Sequence, residues 1–427
     1  MNADYGIGTK CLHAGQTADP TTMACAVPVY RTSAYKFRDT EHAANLFALK
    51  ELGNIYTRLM NPTQDVLEKR VAAMEGGVGA LALASGTSAI FYSIINICQA
   101  GDEIVSANTL YGGTYTMFKN ILPQFGLTVH FVDPRNPENF RTAITDKTKL
   151  VFCETVSNPG LEVSDLAAIS AIAHDNGLPL LVDSTFTTPY LLRPLEHGAD
   201  IVVHSLTKWL GGHGTGIGGI VVASDKFDWT SGKFPLMSEP EESYHGLRWA
   251  YDLGPLTPLA YLLRMRLIPL RNLGACISPD NAWIFLQGIE TLHLRMQRHC
   301  ENAMAVAEFL QQHPAVEWVR YPGLVTDKAH DVAQRYLKKG FGAMVVFGIR
   351  GSTEAGQQFI ERLSLFSHLA NVGDAKSLAI HPASTTHSQL SEADLESAGI
   401  APGLIRLAIG IEDVDDIIHD LKQALAS

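Results

Sequence analysis

Between residue 64 and about residue 225, short apolar runs alternate with stretches of helical period. Ala80–Leu83, Glu103–Ser106, Thr128–Val132, Leu150–Glu154, Pro179–Asp183, Ile201–His204 and Gly219–Ala223 read as strands. Asp65–Met74, Ser88–Cys98 and Leu166–Asn176 read as helices between them. Short apolar strands interleaved with helices predict a mostly parallel sheet covered on both faces, an α/β fold. Residues 226–280 are less regular, with several Pro and Gly. A helical period returns over Met265–Leu273 and Ala282–Glu308. After Pro314 come alternating patterns at Val316–Tyr321, Ala343–Ile349 and Ile405–Ile409, then a last helix over Val414–Ala426, which predicts a smaller α+β unit. Residues 1–63 show no sustained period until about Glu41–Leu52. They read as an extended arm with one short helix, and so polar an arm needs a surface to lie on. The surface expected is a neighbouring subunit. Three segments follow: an arm over 1–63, a large domain over 64–275 and a small C-terminal domain over 276–427.

Composition narrows the class of protein. The chain has 427 residues, enough for two or three packed units, and 46% hydrophobic against 18% charged residues allows a large core. A net charge of −11 without a long basic run argues against nucleic acid or an anionic membrane as partner. No apolar stretch is long enough to span a bilayer, and the first fifteen residues lack the apolar segment of a signal peptide. The six cysteines form no CxxC pair, a pattern that fits reduced thiols in a cytoplasmic enzyme. No His/Cys cluster has the spacing of a zinc site, so no metal is expected.

Three polar constellations stand at predicted strand ends, where open α/β sheets bind ligands. The first is Ala84-Ser85-Gly86-Thr87-Ser88, whose glycine and free helix N–H groups suit a phosphate. An ordinary capped turn has the same look. The second is Asp183, which ends an apolar run, where a buried carboxylate needs a cation or serves as a helix cap. The third is His204-Ser205-Leu206-Thr207-Lys208-Trp209, followed by Gly-Gly-His-Gly. A lysine at a buried strand end is out of place unless it is covalently used or paired, although a surface lysine with a buried stem is the plain alternative. Order adds specificity. The Gly turn precedes Asp183 by about a hundred residues, and Lys208 follows Asp183 by 25, one helix and one strand later. A lysine that carries pyridoxal 5'-phosphate (PLP) as a Schiff base, with an Asp on the pyridinium, is the recurring form of such a set.

At this point the chain resembles the Cys/Met-metabolism PLP enzymes of the transsulfuration group over nearly its whole length, most closely in the Asp200–Gly219 stretch around Lys208. The resemblance implies PLP-dependent transferase fold type I. It also implies roles. Lys208 would hold the cofactor and shuttle protons, and Asp183 would keep the pyridine nitrogen protonated. Ser205, Thr207 and the backbone of Gly86 and Thr87 would take the phosphate. Tyr111, in Leu110-Tyr111-Gly112-Gly113, would stack on the ring and assist the leaving group, a catalytic role beside Lys208 and Asp183. Tyr56 and Arg58 are similar to the pair that reaches the phosphate of an adjacent subunit, so the arm would complete a shared site in a homotetramer built from dimers. Arg406 would clamp the substrate carboxylate in bidentate fashion, supported by Asn158 and Ser377.

Within that group three features favour one branch. The chain is longer than expected for γ-synthases and γ-lyases, with extra length at about 226–275. The loop after the stacking tyrosine is Tyr111-Gly112-Gly113, without the thiol of methionine γ-lyases. Gly15-Gln16, Leu110–Tyr115 and His381-Pro382-Ala383-Ser384-Thr385-Thr386-His387 are similar to O-acetylhomoserine sulfhydrylases. The expected reaction is γ-replacement, O-acetyl-L-homoserine and sulfide or a small thiol giving L-homocysteine and acetate. Methionine γ-lyase and cystathionine γ-synthase are the alternatives within enzymes. A catalytically silent PLP-fold binding module is the alternative outside them, disfavoured by the intact Asp183, Lys208 and Arg406. A dinucleotide-binding fold lacks its G-x-G-x-x-G turn at Ala84–Ser88.

Overall fold

The computed structural model describes residues 4–351, 353–385, 401 and 403–426. Seven strands build the larger sheet: β1 (Gly79–Leu83), β2 (Glu103–Ala107), β3 (Thr128–Val132), β4 (Thr148–Glu154), β5 (Leu180–Asp183), β6 (Ile201–Ser205) and β7 (Gly219–Ala223). Their spatial order is β1-β7-β6-β5-β4-β2-β3. Neighbours are parallel from β6 to β3, while β7 runs antiparallel to both β6 and β1. As the sequence predicts, the central strands are largely apolar; β7 is buried at all five positions and β4 at six of seven, while the edge strand β3 is only partly covered.

Local chemistry sets the helices that frame the site. α1 (Ile7–His13) and α2 (Thr40–Phe47) belong to the N-terminal segment. α3 (Pro62–Glu75) starts at Asn61, whose side chain accepts the Thr63 N–H, has Pro at its first position and ends at Gly76 in the left-handed region. α4 (Gly86–Ile95) is capped by Ser85, which accepts the Ser88 N–H at 3.0 Å. α5 (Gly112–Thr116) opens at Tyr111.

A second sheet holds β8 (Val316–Arg320), β9 (Met344–Ile349), β10 (Ser367–His368), β11 (Leu378–Ile380) and β12 (Leu404–Ala408), in the order β10-β11-β12-β9-β8. Two strands here, β10 and β11, are too short to leave a period in the sequence. The helix expected over Ala282–Glu308 is two helices, Pro279–Glu290 and Leu292–Gln312, broken at Thr291. Both are apolar on one face, so the pattern runs through the break. The two apolar cores meet inside the second helix: Met296 and Cys300 pack with the large sheet, Ala303, Val306 and Leu310 with the small one.

The N-terminal segment departs from expectation in its first part. α1 docks on its own chain, with Cys11 fully buried. Arg70 of α3 donates through Nε to Ala14 O at 3.0 Å. At Gly15, with φ +73°, a Cβ would stand 2.9 Å from Arg70 N, so the chain can pass only as glycine. A short amphipathic helix found its surface within the subunit, and the exposed part of the segment lies further on.

Candidate active site

Every strand that carries a sequence-predicted group delivers it to the same edge of the large sheet. β1 leads to Ser85-Gly86, β2 to Tyr111, β4 to Asn158, β5 ends at Asp183 and β6 runs into Lys208. These five strands run in one direction, so their carboxyl ends share one edge, the expected place for a ligand.

Lys208 lies in a π-type turn, Leu206–Leu210, whose helical dihedrals break at Lys208 itself. Its Nζ donates to the side-chain oxygen of Asn371. Burial, helped by the charge of Arg406, lowers its pKa to about 8, so a substantial neutral fraction exists near physiological pH. The turn is gripped from two sides. Arg295 donates to Trp209 O at 2.8 Å and Leu210 O at 3.3 Å. Gly373, at φ +80°, passes so close that a Cβ would stand 2.9 Å from Lys208 Cα and 2.5 Å from Trp209 N.

Asp183 pairs in register with Glu154 of β4 and Val203 of β6. Burial raises its pKa, opposed by hydrogen bonds from Thr185, whose N–H lies 2.9 Å from Oδ1. Glu154 is pushed well above the ordinary carboxylate range by burial first and by the neighbouring Asp183 second. Among the described residues neither carboxyl has a salt-bridge partner, so this edge lacks one cation.

The phosphate-type groups converge as well. At Gly86 a Cβ would stand 2.8 Å from Ser205 Cβ, so the first turn of α4 and the end of β6 touch. The unpaired first-turn N–H groups of α4 thus stand beside the Ser205 side chain. The Thr207 hydroxyl is engaged with Gly218, donating to its carbonyl at 3.3 Å and accepting its N–H at 3.1 Å.

Tyr111 is half exposed, its backbone N–H held by Glu154 Oε1 at 2.7 Å. Its ring lies on Gly113, where a Cβ would meet Cε1 at 2.6 Å. Arg406, in the middle of β12, donates to Asn158 Oδ1 at 3.2 Å and to the backbone oxygen of Asn371 at 3.4 Å. Among the described residues it has no carboxylate partner, and burial lowers its pKa to about 10. A guanidinium this enclosed with only neutral acceptors has capacity for an anionic ligand.

The structure therefore brings together Lys208, Asp183, Ser205, Gly86, Thr87, Tyr111, Asn158 and Arg406. Ser377 makes no hydrogen bond to Arg406 among the described residues. Ser377 is fully buried, its hydroxyl donating to Glu412 Oε2 at 2.9 Å and accepting the Gly410 N–H at 2.9 Å, so it braces the backbone after β12. Tyr56 and Arg58 make no hydrogen bond or ion pair to Lys208 among the described residues. Both are exposed, and the Arg58 guanidinium lies 5.3 Å from the centre of the Tyr56 ring. Of the His381–His387 segment, Thr386 and His387 lie outside the described residues. Sequence reasoning missed Asn371 and Glu154. Glu154 ends an apolar strand just as Asp183 does, and the same rule would have found it. Asn371 sits in a loop with no period, and nothing local marks it.

The set fits pyridoxal phosphate on its own evidence: a lysine of lowered pKa, a carboxyl edge short of a cation, and helix N–H groups beside a serine hydroxyl. Comparison with known proteins agrees. The family model for Cys/Met metabolism PLP-dependent enzymes matches residues 8–426. An O-acetyl-L-homoserine sulfhydrylase of Leptospira meyeri is 56% identical over 100% of this chain and 98% of its own. O-acetyl-L-homoserine sulfhydrylase 1 of Thermus thermophilus is 50% identical over 98% of this chain and 99% of its own. The crystal structure of a Campylobacter jejuni O-acetylhomoserine (thiol)-lyase, which contains a pyridoxyl-lysine phosphate residue, superposes with a TM-score of 0.95 at 40% identity, covering 99% of this chain and 100% of that one. A seven-stranded sheet with a lysine turn, an Asp ending the adjoining strand and full-length likeness of this kind admits one conclusion: the chain belongs to the Cys/Met metabolism PLP-dependent enzyme family, with the fold and cofactor of that family.

Proposed function

We propose that this enzyme converts O-acetyl-L-homoserine and sulfide to L-homocysteine and acetate. The Cγ–O bond to acetate breaks, a Cγ–S bond to sulfide forms, and no oxidant or reductant is needed. The observation that carries the substrate choice is the 56% full-length identity to a sulfhydrylase named for that substrate. Homocysteine synthase of Schizosaccharomyces pombe, 49% identical over 98% of this chain, points to the same product.

When bound, pyridoxal phosphate supplies an electron sink for carbanion chemistry at the amino-acid substrate. In this reading the chain's own residues do the rest. Arg406 receives the substrate carboxylate, with its guanidinium oriented by Asn158 and by the backbone of Asn371. Lys208 moves protons through Nζ, a role suited to an amine with a pKa of about 8. Asp183 would supply the anion for the pyridine nitrogen. Ser205, Thr207 and the first-turn N–H groups of Gly86 and Thr87 would hold the phosphate. Tyr111 covers the ring, and the absence of a side chain at Gly113 gives it the place it occupies. Residues 64–275 thus carry the cofactor groups, while 276–427 bring Arg406 and Asn371 to them. Tyr56 and Arg58, exposed in one subunit, complete a neighbour's phosphate site in a homotetramer of dimers. A cytoplasmic location accords with six unpaired cysteines, four of them buried.

The test is direct. Purified enzyme supplied with O-acetylhomoserine and sulfide should form homocysteine and acetate in equal amounts. Formation of α-ketobutyrate without homocysteine would instead identify a lyase.

A further inference from the structure

Glu154 ends β4 as Asp183 ends β5, and the two are register partners in parallel strands. Such neighbours lie about 4.8 Å apart, with their side chains on one face. Two carboxyl-bearing residues therefore stand side by side, Glu154 only 7% exposed and Asp183 half-buried. Asp183 has the hydrogen bonds from Thr185 and, with cofactor present, a pyridinium to face. A single cation cannot serve both groups. Glu154 is left buried beside a like charge, which favours the uncharged acid.

Its recorded side-chain contact does not need a charge. Oε1 accepts the Tyr111 N–H at 2.7 Å, tying the end of β4 to the loop after β2. Tyr111 is the residue where that loop becomes α5, and its side chain makes no capping bond there. The ring is half exposed and rests on a glycine. The backbone anchor is what fixes where the ring starts from.

We propose that Glu154 is a positioning residue, an uncharged carboxyl group that fixes the Tyr111 backbone, and through it the ring, over the cofactor beside Asp183. The proposal rests on Asp183 and Tyr111 being cofactor neighbours and does not depend on which acyl-homoserine is the substrate. Glutamine keeps an acceptor oxygen at the same reach without a charge. Alanine removes the acceptor, and methionine removes it while filling the space.

The experiment compares Glu154→Gln, Glu154→Ala and Glu154→Met holoenzymes by visible circular dichroism of the cofactor band, and by kcat and KM for acetate release from O-acetylhomoserine. Glu154→Gln should keep the wild-type dichroic band and a kcat within about threefold. Glu154→Ala and Glu154→Met should change the band and lower kcat roughly tenfold or more, with KM little altered, because a displaced ring is a misorientation and not a lost substrate contact. Wild-type spectra in both Ala and Met variants would overturn the proposal. So would a Gln variant as damaged as they are, since charge and not the acceptor would then matter. Should Glu154→Ala fail to fold, Glu154→Met decides. If even the wild type releases no acetate, the substrate assignment falls, and the dichroic comparison still decides the role of Glu154.

Discussion

The Lys208 ammonium donates to the side-chain oxygen of Asn371, which lies 163 residues later in the chain. The same Asn371 offers its backbone oxygen to Arg406 at 3.4 Å. One loop residue of the smaller unit therefore stands between Lys208 and Arg406. It gives two cations a neutral acceptor, which leaves Lys208 with a lowered pKa where an anion would have restored it.

That arrangement predicts the pH dependence of cofactor uptake. Lys208 in the cofactor-free enzyme has a pKa of about 8, and the neutral amine is the reactive form. The uptake rate should climb as pH rises toward 8 and level off above it. Asn371→Asp places an anion on the ammonium, favours the charged form and should move the midpoint upward by about one unit or more. Stopped-flow absorbance across pH 6–10 measures both (a range of about four units set by the lysine). An unmoved midpoint would falsify the electrostatic role given to Asn371.

Gly113 leaves the space that the Tyr111 ring fills, with a Cβ there standing 2.6 Å from Cε1. Gly113→Cys should push the ring aside. Cofactor content, read from absorbance, should stay near wild type while kcat for homocysteine formation falls roughly 10- to 100-fold, as expected for a displacement of about 1 Å. An undiminished kcat would mean that ring placement is not limiting.

Arg406 is held by neutral acceptors only, which leaves it capacity for an anion, in our proposal the substrate carboxylate. Removing one partner of a buried charge pair costs about 2–5 kcal/mol. Arg406→Ala should lose about 10²- to 10³-fold in kcat/KM, at the scale of 1.4 kcal/mol per factor of ten. Arg406→Lys should recover little, since a point charge cannot reproduce the two-pronged geometry. Steady-state kinetics with the cofactor spectrum as control tests this; full rescue by lysine would show that charge alone suffices.

Arg58 is exposed in the single subunit, with only the Tyr56 ring beside it among the described residues. If it reaches a neighbour's phosphate, Arg58→Ala should weaken cofactor binding about tenfold or more, the scale of one charge-assisted hydrogen bond. Mixing inactive Lys208→Ala subunits with Arg58→Ala subunits should then restore activity, because some dimers rebuild one intact site from two chains. Titration of cofactor into the apoenzyme and subunit mixing are independent readings. Unchanged affinity together with no complementation would place the site within one chain.

Sequence alone determined the mostly parallel sheet, because strands covered on both faces are largely apolar and helices must separate parallel neighbours. It also determined that Asp183 and Lys208 share an edge, since one helix and one strand return the chain to the same side. Both follow from chemistry within a few dozen residues. Tertiary structure decided the rest. Asn371 met Lys208, and Ser377 turned to Glu412 instead of Arg406, through packing between two sheets, for which a loop residue carries no local signal. The helix at Ile7–His13 chose its own subunit because Arg70 and Gly15 offered a close fit that only a folded α3 presents. Glu154 lies between these cases: its place at a strand end was legible, but its hold on Tyr111 exists only once β2 and β4 lie side by side.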